Sequence, residues 1–256
     1  MQCFFDFFDD DFYCSTASST ADDARLDYSR NMSNNFDYKV LESEMKIYPS
    51  MLSANPCCLG DELRELAEAD GIHWDVMDGN FVNAITFGSH IIKAHREITD
   101  QVFDVHLMVT NPEKHIENFA KAGADVITIH AEATAHLHAT LNLIKSCGCR
   151  AGVALNPSTS PDFLQYITDV TDVILVMTVN PGQAGQSFLY SQLEKIRNIS
   201  EIVSDDIEIC VDGGINPETA KACEQMGASS CVAGSYIFNS DNYSEAIREL
   251  AGKCSM

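Results

Sequence analysis

The chain has 256 residues, with 38 acidic against 16 basic side chains and a formal charge of −22. Such an excess argues against sequence-independent nucleic-acid binding, which needs a Lys/Arg surface. It leaves an anionic substrate open, because backbone N–H groups and helix N-termini hold phosphate without net positive charge. At 45% hydrophobic the composition is that of an ordinary globular chain, and no apolar run approaches the roughly 18 residues that span a bilayer.

Composition changes near Met45. Residues 1–44 hold ten acidic and three basic side chains, Phe-Asp clusters and a Ser/Thr/Asn-rich middle. A secretory signal needs a basic start and a clean apolar stretch, and a transit peptide is Arg-rich and poor in acids; this segment is neither. It reads as a disordered acidic tail, or as upstream sequence outside the functional domain with Met45 as the natural start. Either way it is expected to be irrelevant to catalysis, with a partner-binding tail as the lesser alternative. The functional domain is expected over 45–256, in the cytoplasm. The ten cysteines show no zinc-ribbon spacing and read as small buried hydrophobes in a reducing compartment.

From Met45 onward, short β-branched apolar runs fall at 46–52, 72–77, 102–108, 125–130, 151–155, 173–179, 207–211 and 230–233. Helical spacing appears between them, over 112–122 (Ile116, Phe119, Ala120) and 193–203 (Leu193, Ile196, Ile199, Val203). Asn111-Pro112 and Asn216-Pro217 are helix openers, and Gly123, Gly148 and Gly227 are closers. Eight strands alternating with eight helices describe a single α/β (β/α)8 TIM barrel. A doubly wound open sheet is the runner-up, but Ser50-Met51-Leu52-Ser53 is not the Gly-rich loop that follows its first strand.

Catalytic groups of such a barrel stand at the C-terminal strand ends. Strand two ends in His73-Trp74-Asp75-Val76-Met77-Asp78-Gly79, strand three in Asp104-Val105-His106-Leu107-Met108, and strand seven in Val211-Asp212-Gly213-Gly214. Period-two alternation puts His73 and Asp75 on one face of their strand, and Asp104 and His106 on one face of theirs. Buried charges are costly unless paired or metal-bound, so imidazoles and carboxylates converging at one mouth point to a divalent metal site of mixed N/O ligation. Three later loops read as a phosphate clamp: Asn180-Pro181-Gly182-Gln183-Ala184-Gly185, Gly213-Gly214 and Gly234-Ser235. Asp78 and Asp104 read as turn-forming or supporting groups. His130 is placed at even odds in the pocket wall, and His90, His95 and His115 read as solvated helix residues.

From residue 46 to 250 the chain resembles the ribulose-phosphate 3-epimerase family. The resemblance lies in Tyr48-Pro49-Ser50-Met51-Leu52-Ser53, His73-x-Asp75-x-Met77-Asp78-Gly79, Asp104-Val105-His106-Leu107-Met108-Val109, Val176-Met177-Thr178-Val179-Asn180-Pro181-Gly182 and Val211-Asp212-Gly213-Gly214. It implies metal ligation by His73, Asp75, His106 and Asp212, with Asp75 and Asp212 as the acid/base pair. One divalent cation per chain is expected, zinc foremost and iron, manganese or cobalt as alternatives. Ser50 and His106 are implied substrate contacts, together with Gly182, Gln183, Ala184, Gly185, Asp212, Gly213, Gly214, Gly234 and Ser235. Met77, Met108 and Met177 would wall the reacting carbons, or simply pack the core. The implied reaction is D-ribulose 5-phosphate to D-xylulose 5-phosphate in the pentose phosphate pathway, by a homo-oligomer with no nucleic-acid or membrane partner.

Two stretches depart from the family pattern. Phe81-Val82-Asn83-Ala84 stands where Phe-Val-Pro-Asn is common, and Gly182-Gln183-Ala184-Gly185 where Gly-Phe-Gly-Gly is common. The Ala184 position resembles the allulose-6-phosphate 3-epimerase branch, which is the alternative substrate reading. The alternative outside enzymes is an inactive phosphate-binding barrel. A Schiff-base aldolase is disfavoured because no strand end named above carries Lys.

Overall fold

The computed structural model describes residues 44–253, so the disordered extension expected over 1–44 lies, but for Glu44, outside the described residues. Its strands are β1 Lys46–Pro49, β2 Gly71–Met77, β3 Val102–Met108, β4 Val126–His130, β5 Arg150–Leu155, β6 Val173–Met177, β7 Glu208–Asp212 and β8 Ser230–Ala233. Each overlaps its predicted run. β1 and β6 stop short of the predicted 52 and 179. After β1 the chain bends into a 3-10 turn, Met51–Ser53, whose first N–H groups include one held by the Ser50 side chain.

All neighbouring strands pair in parallel, in the order β1-β8-β7-β6-β5-β4-β3-β2. The ring closes where Ser50 bridges His73 in parallel and the Asp70 N–H donates to the Ile47 carbonyl at 3.1 Å. This is the (β/α)8 barrel the alternation predicts. Strands β2, β4 and β6 are buried along their whole length, as expected when a barrel core covers one face and helices the other. Inside, Tyr48, Val126, Ala154, Leu175, Met177, Cys210 and Val232 meet in one apolar cluster.

The helices are α1 Leu59–Glu65, α2 Ser89–Arg96, α3 Ile116–Lys121, α4 Leu137–Ser146, α5 Gln192–Ile202, α6 Pro217–Gln225, α7 Ser235–Phe238 and α8 Tyr243–Leu250. They do not fall one after each strand. The β5–β6 connection holds only 3-10 turns, Asp162–Tyr166 and Thr168–Val170, while β8 is followed by both α7 and α8. Pro157 and Pro161 remove N–H donors from that connection, and Ile167, Thr168, Val170 and Thr171 are β-branched, which disfavours a continuous α-helix. The predicted helix 112–122 is likewise divided. Asn111 takes φ 55° without a side-chain cap, so Pro112–Lys114 is a 3-10 turn and α3 starts beyond His115. Asn216 does cap: its side chain accepts from Glu218 and Thr219 N–H while the Thr219 hydroxyl accepts from Asn216 N–H. Gly123, Gly148 and Gly227 follow α3, α4 and α6 as expected.

At the opposite end from the site, three aspartates repeat one device. Asp70, Asp125 and Asp172 accept the first N–H groups of Ile47, Phe103 and Ala151 at 2.9, 2.8 and 2.8 Å. Each ties the base of one strand to the approach of the next, leaving the other end free for loops. His95 corrects its expected solvated placement. It is half-buried on α2 with its ring 5.3 Å from that of Trp74, and its Nδ1 lies 2.8 Å from the Ile91 carbonyl. No helix among the described residues is long and apolar enough to cross a membrane.

Candidate active site

Strands β2, β3 and β7 end around one opening, where Asp75 and His106 are paired neighbours on β2 and β3 and Asp212 approaches them from β7. One donor atom from each of His73, Asp75, His106 and Asp212 lies within 4.8 Å of the others. Asp75 Oδ1 is 3.4 Å from both His73 Nε2 and His106 Nδ1, and Asp212 Oδ2 is 3.9 Å from His106 Nδ1. Ser50 Oγ donates to the other Asp75 oxygen at 2.5 Å.

Both imidazoles are fully buried, and the nitrogens they aim at Asp75, His73 Nε2 and His106 Nδ1, have no hydrogen-bond partner. A buried polar nitrogen without a partner is costly. Two of them facing two carboxylates form a donor set that could hold a divalent metal. The outer nitrogens are occupied. His73 Nδ1 meets Asp104 Oδ2 at 2.8 Å, and His106 Nε2 meets His130 Nε2 at 2.9 Å. Asp104 is therefore a supporting group, as its sequence reading has it.

Burial and neighbouring charge set these groups apart. Burial opposes ionisation of Asp75, but the adjoining His73 and His106 outweigh it and hold its carboxyl far below the usual range. Asp212 lies instead beside the Asp75 charge, and burial together with that charge pushes it up to about 7. Burial disfavours a charged His73, yet Asp75 and Asp104 overcome it and raise its pKa. Burial lowers His106, and takes His130 to about 4.

A cavity opens above the cluster. Ser50, Asp75 and Asp212 line it, together with Gly182, Gln183, Ala184, Gly185, Gly213, Gly214, Gly234 and Ser235. All three glycine loops thus face one space. Met77, Met108 and Met177 also line it while remaining almost wholly buried, so wall and core packing are one role here. His73 and His106 are not on the cavity wall; they lie beneath Asp75. Gly213 and Gly214 take φ 119° and 66°, and a Cβ on either would come within 2.3 Å of Val179 or 2.6 Å of the Phe188 nitrogen. A side chain fits neither position, so the turn presents bare backbone to the cavity.

His130 does not line the pocket. It is fully buried behind His106, with its ring stacked on that of His106 at 4.9 Å and tilted against that of Phe81 at 4.7 Å. Its Nδ1 lies 3.2 Å from Glu132 Oε2, a carboxylate the sequence reading missed. The signal was there, since His130-x-Glu132 repeats the spacing of His73-x-Asp75. Asp78 is a turn group: it accepts from the Asn80 and Phe81 N–H groups and from Thr110, pinning the loop after β2 to that after β3.

The barrel with its acid-and-imidazole mouth and glycine-lined cavity defines an α/β-barrel enzyme of the kind that acts on small anionic substrates. Comparison with known proteins places it more closely. The Ribulose-phosphate 3 epimerase family matches residues 46–238. The Ribulose-phosphate 3-epimerase of Synechocystis is 48% identical over 214 residues, covering 81% of this chain and 93% of that protein. That of Bacillus subtilis is 45% identical, covering 81% of this chain and 99% of the relative. The chloroplastic Ribulose-5-phosphate-3-epimerase of Arabidopsis thaliana is 45% identical over 82% of this chain and 77% of its own. The chain belongs to the ribulose-phosphate 3-epimerase family, isomerases acting on carbohydrates. Among solved structures, KGPDC from Streptococcus mutans superposes with a TM-score of 0.64 at 18% identity, over 82% of this chain and 97% of that one, which is a likeness of fold alone.

Proposed function

We propose that this chain interconverts D-ribulose 5-phosphate and D-xylulose 5-phosphate by inverting the carbon beside the ketone. The observation that carries the reading is the pair Asp75 and Asp212. They reach one cluster from strands β2 and β7, and their surroundings push their proton affinities in opposite directions. Pairs driven apart in this way are suited to acid and base roles. Inversion needs a proton taken from one face of the carbon and another returned to the opposite face, because one base on one face tends to restore the starting centre. Asp75 takes the proton and Asp212 returns one in one direction, with the roles exchanged in the other, through an enediolate. Ser50, by donating to Asp75, holds the carboxylate in place. Backbone N–H groups of 182–185, Gly213-Gly214 and Gly234-Ser235 receive the phosphate.

His73, Asp75, His106 and Asp212 would hold a divalent cation, zinc first by the N/O donor set, with iron, manganese or cobalt as alternatives. When bound, it supplies positive charge where the substrate's oxygens become negative. The reading also includes a homo-oligomer and the cytoplasm; seven free cysteines among the described residues suit a reducing compartment.

Ala184 in the cavity wall favours one second reading, a ketohexose phosphate such as D-allulose 6-phosphate. Assays on both substrates decide between them: kcat/KM is expected to favour ribulose 5-phosphate by at least about tenfold, roughly the discrimination one misfitted carbon unit brings. The reverse preference would transfer the reading to the hexose, and no turnover of either would leave a binding barrel.

Residues 1–44 are expected to be dispensable. Met45 is buried and β1 starts at Lys46, so every described strand and cavity residue survives their removal. Of the described contacts, the exposed Lys253–Glu44 pair is lost, and such surface pairs contribute little. A 45–256 fragment should turn over within about twofold of the full chain, as expected when the lost contact is a surface ion pair. Insolubility or loss of most activity would show the extension to be structural.

A further inference from the structure

We infer that Glu132 and His130 are positioning residues that fix the tautomer of His106, and so aim its Nδ1 lone pair at Asp75 and Asp212. The inference rests on the reading of that cluster as a cation site. Two imidazole nitrogens 2.9 Å apart, His106 Nε2 and His130 Nε2, share one proton: with none the lone pairs repel, and with two the N–H groups collide. Which ring carries it is decided one step further out. His130 Nδ1 faces Glu132 Oε2 at 3.2 Å, and an ionised carboxylate only accepts. The proton of His130 therefore sits on Nδ1, its Nε2 is an acceptor, and His106 must donate from Nε2. His106 Nδ1 is then left unprotonated, and it is the nitrogen that lies 3.4 Å from Asp75 with no hydrogen-bond partner. On the other side, Asp104 accepts from His73 Nδ1, which fixes the orientation of that ring with Nε2 toward Asp75.

Glu132 is itself held in one orientation. Its Oε1 accepts from the Asn156 backbone N–H at 2.9 Å and from the Thr159 hydroxyl. This makes a nearly isosteric substitution informative. In Glu132→Gln the amide oxygen must take the Oε1 place, because the Asn156 N–H can only donate. The NH2 group then faces His130 Nδ1 and donates to it. The proton of His130 moves to Nε2, His106 becomes the acceptor there, and its own proton is forced onto Nδ1, toward the cluster. One carboxylate oxygen replaced by NH2 thus reverses both rings.

Long-range 1H–15N correlations on the 15N-labelled, metal-free full chain read these tautomers directly. The parent is expected to show His106 protonated at Nε2, and Glu132→Gln to show it protonated at Nδ1. Zinc(II) affinity, measured by competition with a chromophoric chelator, should fall about 10–100-fold in that variant, as when an outer partner of a ligand is removed. Thr159→Ala strips a donor from the same carboxylate without touching His130, so it should leave both readouts unchanged; a mere strut between β4 and the β5 loop would respond alike to both variants. Glu132→Ala, with no acceptor for His130, should give mixed His106 tautomers. Folded Glu132→Gln protein with His106 still protonated at Nε2 and zinc(II) affinity within about twofold of the parent would overturn the inference, since an outer partner normally changes affinity by tenfold or more. A parent that takes up no zinc(II) at all would overturn the cation reading alone, because the tautomers are read without metal.

Discussion

Asp75→Asn and Asp212→Asn are each expected to abolish net epimerisation, lowering kcat/KM by about 10²–10⁴-fold or more, the share one positioned acid or base contributes. The substitutions are nearly isosteric, so the cavity keeps its shape while one face loses its proton carrier. They are not equivalent in stability. Asp75 accepts from Ser50 and lies against both His73 and His106, so Asn there leaves imidazole nitrogens facing an uncharged amide. Asp212 makes a longer approach to His106, at 3.9 Å, and its Asn variant should unfold at nearly the parent temperature. Metal content has to be measured in both before the loss is assigned to proton transfer. The distinguishing readout is solvent deuterium. With one carboxylate intact, a variant can still exchange the substrate's C3 proton from one face, starting from one epimer, without inverting the centre. Exchange without inversion separates two bases on opposite faces from one base working on both. A folded, metal-loaded variant that epimerises near the parent rate would remove that aspartate from the reaction.

The parts of this site that were legible in the sequence are those governed by local geometry. His73-x-Asp75 and Asp104-x-His106 could be placed on inward faces because strand side chains alternate with period two, and β2 and β3 run in register with His73 opposite Asp104 and Asp75 opposite His106. The three glycine loops could be assigned to one end of a barrel because strand ends share a direction in a parallel sheet. What escaped depends on distant partners. Glu132 sits past the end of β4 in a 3-10 turn, where the alternation no longer applies, and its orientation comes from Asn156 and Thr159 on another connection. His95 reads as a solvated helix residue until Trp74 from β2 is found beneath it. The β5–β6 connection reads as one more helix by counting, whereas its prolines and β-branched residues admit only 3-10 turns.

Stripping divalent cations is expected to reduce turnover to background, and one equivalent of zinc(II) per chain to restore it. The physical reason is the donor set: two buried imidazole nitrogens without partners and two carboxylates, one donor atom of each within 4.8 Å of the rest. Without a cation that arrangement keeps protons in its place. Asp212, pushed up to about 7 by burial and the Asp75 charge, is substantially protonated at neutral pH, and His73, raised by Asp75 and Asp104, holds a proton as well. A cation can use these donors only by displacing those protons, which gives its binding a sign with pH. Above about 7 the Asp212 proton is already gone and that part of the pH dependence disappears; below it, each lost pH unit costs about tenfold in affinity for every proton displaced. Zinc(II) affinity of the metal-free protein, titrated from pH 8 down to about 5.5, should therefore fall by at least about tenfold per unit below pH 7. Proton release on binding should appear in the same titration when it is repeated in buffers of different ionisation enthalpy. Affinity independent of pH across that window would show that the cation, if bound, is held elsewhere. Full turnover in rigorously metal-free protein would leave proton transfer to and from the substrate by Asp75 and Asp212 as the whole of the chemistry.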